Sequence, residues 1–173
     1  MEVTEARALI EPAFHNPNRN ATWADLGCGT GTFTQALATL LEEGSKIYAV
    51  DKEHQQIKPG AMSSTDLQFI KLDFVREVLP FTNLDGILMA NALHYVKDKI
   101  TFVNGLVSYL KPSGQFLIVE YDTQNQNQWV PYPISFDTLV KTFSSRFTHI
   151  IKIGERNSIY RQGKMYACSM KRN

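Results

Sequence analysis

Three glycines at alternate positions, Gly27, Gly29 and Gly31, lie between an apolar stretch and a helical one, with carboxylates at Asp25, Asp51 and Asp73. Glycines at the exit of a strand allow left-handed backbone in a tight turn and let a ligand approach bare N–H groups. The spacing is G-x-G-x-G, which differs from the G-x-G-x-x-G of dinucleotide sites. Asp51 follows Gly31 by 20 residues at the end of a second apolar run, where a carboxylate can accept from both hydroxyls of a ribose. Asp73 closes a third run at the same rim and is placed to accept from the amino group of an adenine. Asp25 sorts the ligands. Just upstream of the loop it repels a pyrophosphate and suits a ligand carrying positive charge.

The surrounding pattern supplies the elements that must position these groups. A short helix, TEARALIEPAF, is followed by a polar loop broken at Pro12 and Pro17. Thr22–Leu26, Lys46–Val50, Leu67–Leu72, Asp85–Ala90 and Gln115–Glu120 read as strands. Apolar periodicity predicts helices over Thr32–Glu43, capped at Gly44, and over Asp98–Leu110. The stretch after Asp51 starts helically and breaks at Pro59-Gly60, Val75–Leu79 suits one helical turn, and Lys111–Gly114 reads as a turn. Strands that are apolar almost throughout are covered on both faces, so alternating strands and helices predict a parallel sheet with right-handed crossovers. After Glu120 the rhythm changes. Residues 121–134 form a polar loop with embedded aromatics, and Ser135 caps a helix running to about Arg146. Phe147–Ile153 and Met165–Met170 are strands joined by a segment too polar for a crossover helix, hence antiparallel. The expected fold is α/β: a Rossmann-like, doubly wound, seven-stranded mixed sheet with the last strand antiparallel and helices on both faces. Residues 1–173 read as a single domain, with an N-terminal helix and loop over 1–20 and a substrate-side loop over 121–134.

A ligand with adenine, ribose and a nearby cation describes S-adenosyl-L-methionine, which carries an ammonium and a sulfonium. The segments DLGCGTGTFT, VDKE, KLDF, DGILMANALHYV and LKPSGQFLIVE, in that order from Thr22 to Glu120, resemble the successive motifs of class I S-adenosylmethionine-dependent methyltransferases. The final strand pair is also similar to that family's C-terminal hairpin. The resemblance implies that Asp25 and the backbone of Gly27, Gly29 and Gly31 hold the methionine part, with Cys28 and Thr32 of the same loop in the binding set. It implies that Asp51 takes the ribose hydroxyls and that Lys52 lays its stem over the adenine. It further implies that Asp73 and the N–H of Phe74 read the adenine edge, and that Ala90 and Asn91 lie beside the ammonium and the transferable methyl.

Methyl transfer from a sulfonium needs chiefly proximity and alignment, and a base only where the nucleophile must first lose a proton. The candidate catalytic residues are His94, Tyr95 and Glu120. His94 is either a general base or a ring packed at the start of the next helix. Tyr95 is a packing or substrate-contact residue, and one of Glu120, Tyr121 and Asp122 is expected to reach the substrate. Trp129 and Tyr132 either wall an apolar acceptor or anchor their loop. No Pro-Pro-aromatic stretch follows Asn91, which disfavours the exocyclic amines of nucleic acid bases.

Composition narrows the classes. The chain has 173 residues, 43% hydrophobic and 20% charged, with a net charge of +1. No apolar run reaches the ~20 residues that cross a bilayer, and no basic-then-apolar leader opens the chain, so a cytoplasmic protein is expected. Cys28 and Cys168 are too few for a disulfide framework or a zinc site, and no metal is expected. Eight basic residues against two acids from Asp137 onward suit either a phosphate-bearing partner or solvated faces. With few residues outside the core, either the substrate is small and held mainly by residues after the fourth and fifth strands, or a second chain or the N-terminal helix (Leu9, Ile10, Phe14, His15) completes the pocket. The reading is a methyltransferase acting on a small molecule. Its rivals are a catalytically silent cofactor-binding or partner subunit, a nicotinamide-dependent module, and a transferase of another group from a similar sulfonium.

Overall fold

Six strands that run one way and one inserted antiparallel strand carry the architecture. The computed structural model describes residues 1–14, 20–57, 64–158 and 163–172. The strands are β1 (Thr22–Leu26), β2 (Lys46–Asp51), β3 (Asp66–Lys71), β4 (Leu84–Ala90), β5 (Leu110–Tyr121), β6 (His149–Ser158) and β7 (Gly163–Lys171). They form one seven-stranded sheet in the order β3-β2-β1-β4-β5-β7-β6. β1 to β5 pair in parallel, and β7 pairs antiparallel with both β5 and β6. The expected mixed sheet and its closing antiparallel strand are thus observed.

Helices cover both faces. α1 (Val3–Ile10) and α2 (Thr32–Ala38) pack Leu9, Ile10, Phe33 and Leu37 against Ile47, Leu88, Leu117 and Val119. α3 (Lys99–Leu106) and α4 (Phe136–Phe143) pack Val103, Leu106, Leu139 and Phe143 against Ile87, Met89, Phe116 and Ile118. Successive residues of β4 and β5 therefore face opposite cores, which is why those strands are apolar throughout.

Several boundaries differ from the sequence reading. α2 ends at Ala38 because Thr39 turns its hydroxyl back onto the Ala36 carbonyl at 2.7 Å. Leu40 and Leu41 stay buried, and Gly44 closes the turn in left-handed backbone at φ 82°. α3 stops at Leu106 and tightens into a 3-10 turn over Val107–Tyr109. Asp98 caps it, accepting from the Thr101 N–H at 3.0 Å. Residues 52–57 are not helical, and Pro59-Gly60 lies outside the described residues. The KPSG turn is a bulge within β5: the pairing jumps from Leu84↔Leu110 to Gly86↔Gln115. α4 ends at Phe143 rather than Arg146. β6 starts at His149 and extends to Ser158, so much of the polar segment read as a connection is strand. Phe147 is instead a core residue, edge-on to Phe116 at 5.6 Å.

α1 is docked. The backbone at Leu9 lies so close to β6 that a Cβ at Gly154 would stand 2.8 Å from the Leu9 carbonyl oxygen. Arg156 of β6 reaches Glu5 of α1 at 3.0 Å. Several basic residues of the C-terminal third meet acids in this way, Lys164 with Glu155 at 2.9 Å among them. No helix among the described residues is long and apolar enough to cross a membrane.

Candidate active site

The loop from Gly27 to Gly31 leaves the C-terminal end of β1 and turns into α2. Gly27 has φ +81°, and a Cβ there would stand 2.6 Å from the Ala92 Cβ. Gly31 has φ +86°, and a Cβ there would stand 2.6 Å from Ile57 Cγ2. Both positions exclude a side chain by backbone conformation and by space. The N–H groups of Gly27 and Cys28 donate to the Val50 carbonyl at 2.8 and 3.0 Å. The Gly29 N–H donates to Asp51 Oδ2 at 2.9 Å, and Asp51 Oδ1 accepts from the Glu53 N–H at 2.9 Å. Asp51 thus ties the glycine loop to the end of β2 while each of its oxygens retains a second lone pair.

Asp25 is wholly buried beneath this loop. Thr34, in the first turn of α2, donates its hydroxyl to Asp25 Oδ2 at 2.6 Å. Asp25 Oδ1 is buried and has no hydrogen-bond partner, and the same holds for Asn91 Oδ1 just past β4. Burial pushes the Asp25 carboxyl up to about 7, with the Thr34 hydroxyl opposing the rise and the Asp51 charge adding to it. Asn91 sits in left-handed backbone at φ 54°, a conformation that asparagine tolerates better than most residues.

Asp25, Asp51, Asn91 and the loop residues Gly27, Cys28, Gly29 and Thr30 line one cavity of about 710 Å³. That lies within the roughly 300–1,000 Å³ usual for small-ligand sites. Of the residues expected to bind cofactor, Asp25, Gly27, Cys28, Gly29, Thr32, Asp51, Lys52, Asp73, Phe74, Ala90 and Asn91 all line it. Gly31 does not. It is the N-cap of α2, its carbonyl accepting from the Gln35 N–H at 2.8 Å, and it packs under Ile57. Asp73 also fastens a turn, accepting from the Val75 N–H at 3.1 Å, with Arg76 3.6 Å away. The Cys28 thiol is held well above its usual range by burial. Met1, Thr30, Phe33, Val75, Arg76 and Ala92 line the cavity without having been singled out in the sequence. Thr30 and Phe33 were signalled by the loop that holds them. Met1 arrives through the docking of α1, which no local pattern announces.

On the acceptor side the three candidates separate. Tyr95 lines the cavity and is 55% exposed. His94 and Glu120 are buried and are not lining residues. His94 Nδ1 lies 2.7 Å from Glu120 Oε2, and Glu120 Oε1 accepts the His94 backbone N–H at 3.0 Å. The His94 ring stands behind Tyr95, with centroids 4.4 Å apart. The 121–134 loop is stitched down beside them. The Tyr132 N–H donates to the His94 carbonyl at 3.0 Å, and the Tyr166 hydroxyl donates to the Ile134 carbonyl at 3.0 Å. Asp122 Oδ1 accepts from the Phe136 N–H at 2.9 Å, so this acid holds the loop to α4. Lys99 Nζ donates to the Val96 carbonyl at 2.8 Å and lies 5.6 Å from the Tyr132 ring centre. Burial lowers its pKa, against the pull of the Glu120 charge. Trp129 is exposed at the loop's outer turn. His15 lies outside the described residues.

A family model for a methyltransferase domain matches residues 17–164. The chain belongs to the methyltransferase-domain family. It is 27% identical over 144 residues to the ubiquinone/menaquinone biosynthesis C-methyltransferase UbiE of Klebsiella pneumoniae, covering 79% of this chain and 53% of that protein. The chain therefore spans about half the length of such relatives. Among solved structures it is similar to the YcgJ protein of Bacillus subtilis, with a TM-score of 0.69, 14% identity, and 98% and 99% of the two chains covered. It is also similar to the N-methyltransferase NodS of Bradyrhizobium japonicum in complex with S-adenosyl-L-homocysteine. The TM-score there is 0.65, at 14% identity, over 98% of this chain and 85% of that one. A methyltransferase domain of this strand order takes its methyl group from S-adenosyl-L-methionine. The cavity suits that donor: two of its lining residues, Asp25 and Asn91, hold a buried oxygen without a partner, and the strand-end carboxylate Asp51 lines it too.

Proposed function

We propose that residues 1–173 act as one S-adenosyl-L-methionine-dependent methyltransferase domain whose acceptor is a small molecule. The observation that carries this reading is a pair of buried, unpartnered oxygens, Asp25 Oδ1 and Asn91 Oδ1, in two residues that line the cavity at the strand ends. A buried acceptor oxygen without a donor costs about 1–3 kcal/mol, so a site that keeps two of them is built for a ligand that donates. An ammonium is such a ligand.

In this reading Asp25 and Asn91 hold the amino-acid end of the donor, with the Gly27 and Gly29 backbone against its chain. Asp51 takes the ribose hydroxyls, and Asp73 with the Phe74 N–H takes the adenine edge. Lys52 covers the ring, while Cys28, Thr32 and Ala90 complete the wall. S-adenosyl-L-methionine supplies an electrophilic methyl on a sulfonium that departs as a neutral thioether. The protein's share is to align the acceptor and exclude water. Tyr95, at the cavity wall, contacts the acceptor. Glu120 fixes the ring and backbone of His94 behind Tyr95, so the buried pair sets where Tyr95 meets the acceptor. The relatives' C-methyl chemistry favours a small organic acceptor over a nucleic acid, and the docked α1 favours a pocket completed by this chain over one completed by a partner. A cytoplasmic setting belongs to the same reading.

The experiment is calorimetric titration of the protein with S-adenosyl-L-methionine and S-adenosyl-L-homocysteine, with Asp51→Ala as control, followed by acceptor screening for S-adenosyl-L-homocysteine release. Micromolar binding abolished in the variant supports the reading. A folded protein that binds neither compound overturns it in favour of a silent partner subunit.

A further inference from the structure

The Asp25 carboxylate is oriented by one side chain. Thr34 is fully buried on α2, and its hydroxyl holds Asp25 Oδ2 at 2.6 Å. With Oδ2 taken, Oδ1 is left buried and without a partner, in a residue that lines the cavity. The other groups facing this carboxyl are the Asp51 carboxylate at the end of β2 and the Cys28 thiol of the glycine loop, whose own ionisation the Asp25 charge further disfavours. Past β4 stands the neutral Asn91. No cation faces Asp25 among the described residues that influence its ionisation.

Resting on the cofactor reading above, we infer that Thr34 is a positioning residue for donor binding: its hydroxyl ties Oδ2, leaves Oδ1 for the ligand's ammonium and favours the ionised form, and binding is coupled to loss of the Asp25 proton. The physical basis is simple. A buried carboxylate with an acidic neighbour tends to hold a proton, and a hydroxyl donor favours the charged form. An incoming ammonium favours it further, so a proton leaves as the ligand enters. The protein therefore binds the donor more tightly as pH rises through the range in which Asp25 ionises. That range lies near neutrality because burial holds the carboxyl at about 7.

The test compares wild type with Thr34→Val, Thr34→Ser and Asp25→Asn. S-adenosyl-L-homocysteine affinity is measured by calorimetry from pH 5.5 to 9 in buffers of differing ionisation heat. The Asp25 carboxyl carbon is followed by NMR in the ligand-free proteins. Wild type is expected to release a proton on binding at pH 6 and to take one up by pH 9, where Asp25 is already ionised and the ligand's amine must gain its proton. Thr34→Val should weaken binding about tenfold at pH 7, converge with wild type at high pH, and titrate Asp25 at a higher pH without ligand. Thr34→Ser should restore the wild-type profile, and Asp25→Asn should give weak, pH-flat binding. A Thr34→Val defect of equal size at every pH, or an unchanged Asp25 titration, overturns the inference and leaves Thr34 a packing residue. Absence of binding by wild type at all pH values, with the NMR titration shifted as expected, overturns the cofactor reading and the ammonium coupling but upholds the Thr34 control of Asp25.

Discussion

His94 Nδ1 and Glu120 Oε2 lie 2.7 Å apart, with 3% and 1% of their side chains exposed. The two residues come from the turn after β4 and the end of β5, so the pair joins the two segments that border the acceptor side. Glu120 also accepts the His94 backbone N–H, which makes it a two-point anchor. Glu120→Ala leaves the imidazole without its partner and frees the turn. The expected cost is about 3 kcal/mol of stability by urea unfolding. His94→Gln, which removes the ring that backs Tyr95, is expected to lower kcat roughly 100-fold through misplacement of the acceptor, with donor affinity unchanged by calorimetry. A loss of donor affinity of the same size would mark the pair as purely structural.

Asp51 carries two duties, anchoring the Gly29 and Glu53 N–H groups and facing the cavity. Asp51→Ala removes both. Donor affinity should fall by about 100-fold, read by calorimetry, while Asp51→Asn, which keeps an acceptor oxygen, should lose less.

Gly27 is closed to any side chain. Gly27→Ala must carry a Cβ in left-handed backbone and 2.6 Å from the Ala92 Cβ. It should destabilise the protein by about 2 kcal/mol or more in chemical denaturation. Adding Ala92→Gly should recover part of that loss, because it relieves the contact and leaves the backbone cost.

Asp25 makes the ligand-free protein pH-sensitive. Its folded pKa, about 7, stands above the ordinary 3.8. The folded state therefore holds this proton more tightly than the unfolded chain. The stability gained is complete below pH ~4 and is lost as pH rises through about 7. Asp25→Asn carries no such penalty. Its melting temperature should exceed that of wild type at pH 8, and the gap should close toward pH 4, as measured by calorimetric scans without ligand.

Trp23 is buried at 3% exposure and Trp129 is exposed at 68%. Iodide should quench one tryptophan population strongly and the other barely, and Trp129→Phe should abolish the quenched one. An acceptor that enters beside Tyr95 and the 121–134 loop is expected to protect Trp129 from iodide.

The parallel order of β1 to β5, the ligand loop and the strand-end acids were legible in the sequence because each is a local signal. Apolar runs announce two-face burial, and a glycine or an acid at a strand end announces a turn or a site. Ser135 announced its helix as a cap for the same reason. Lengths were less legible. Thr39 ends α2 by a local hydroxyl bond, and β6 takes in a polar segment because β7 offers it a ladder, which composition alone does not reveal.

What the sequence by itself determined is the class of fold and most of the residues that gather at the strand-end cavity, since those residues sit within a few positions of strands that any α/β sheet aligns at one rim. What only the tertiary structure decided are the contacts between distant segments. They include Met1 at the cavity through the docking of α1, Glu120 committed to His94, Asp122 committed to the loop and Gly31 withdrawn under Ile57. The Thr34 hydroxyl on Asp25 belongs with them. These contacts depend on how helices and loops pack across the sheet, and packing is a property of the folded whole rather than of any stretch of chain.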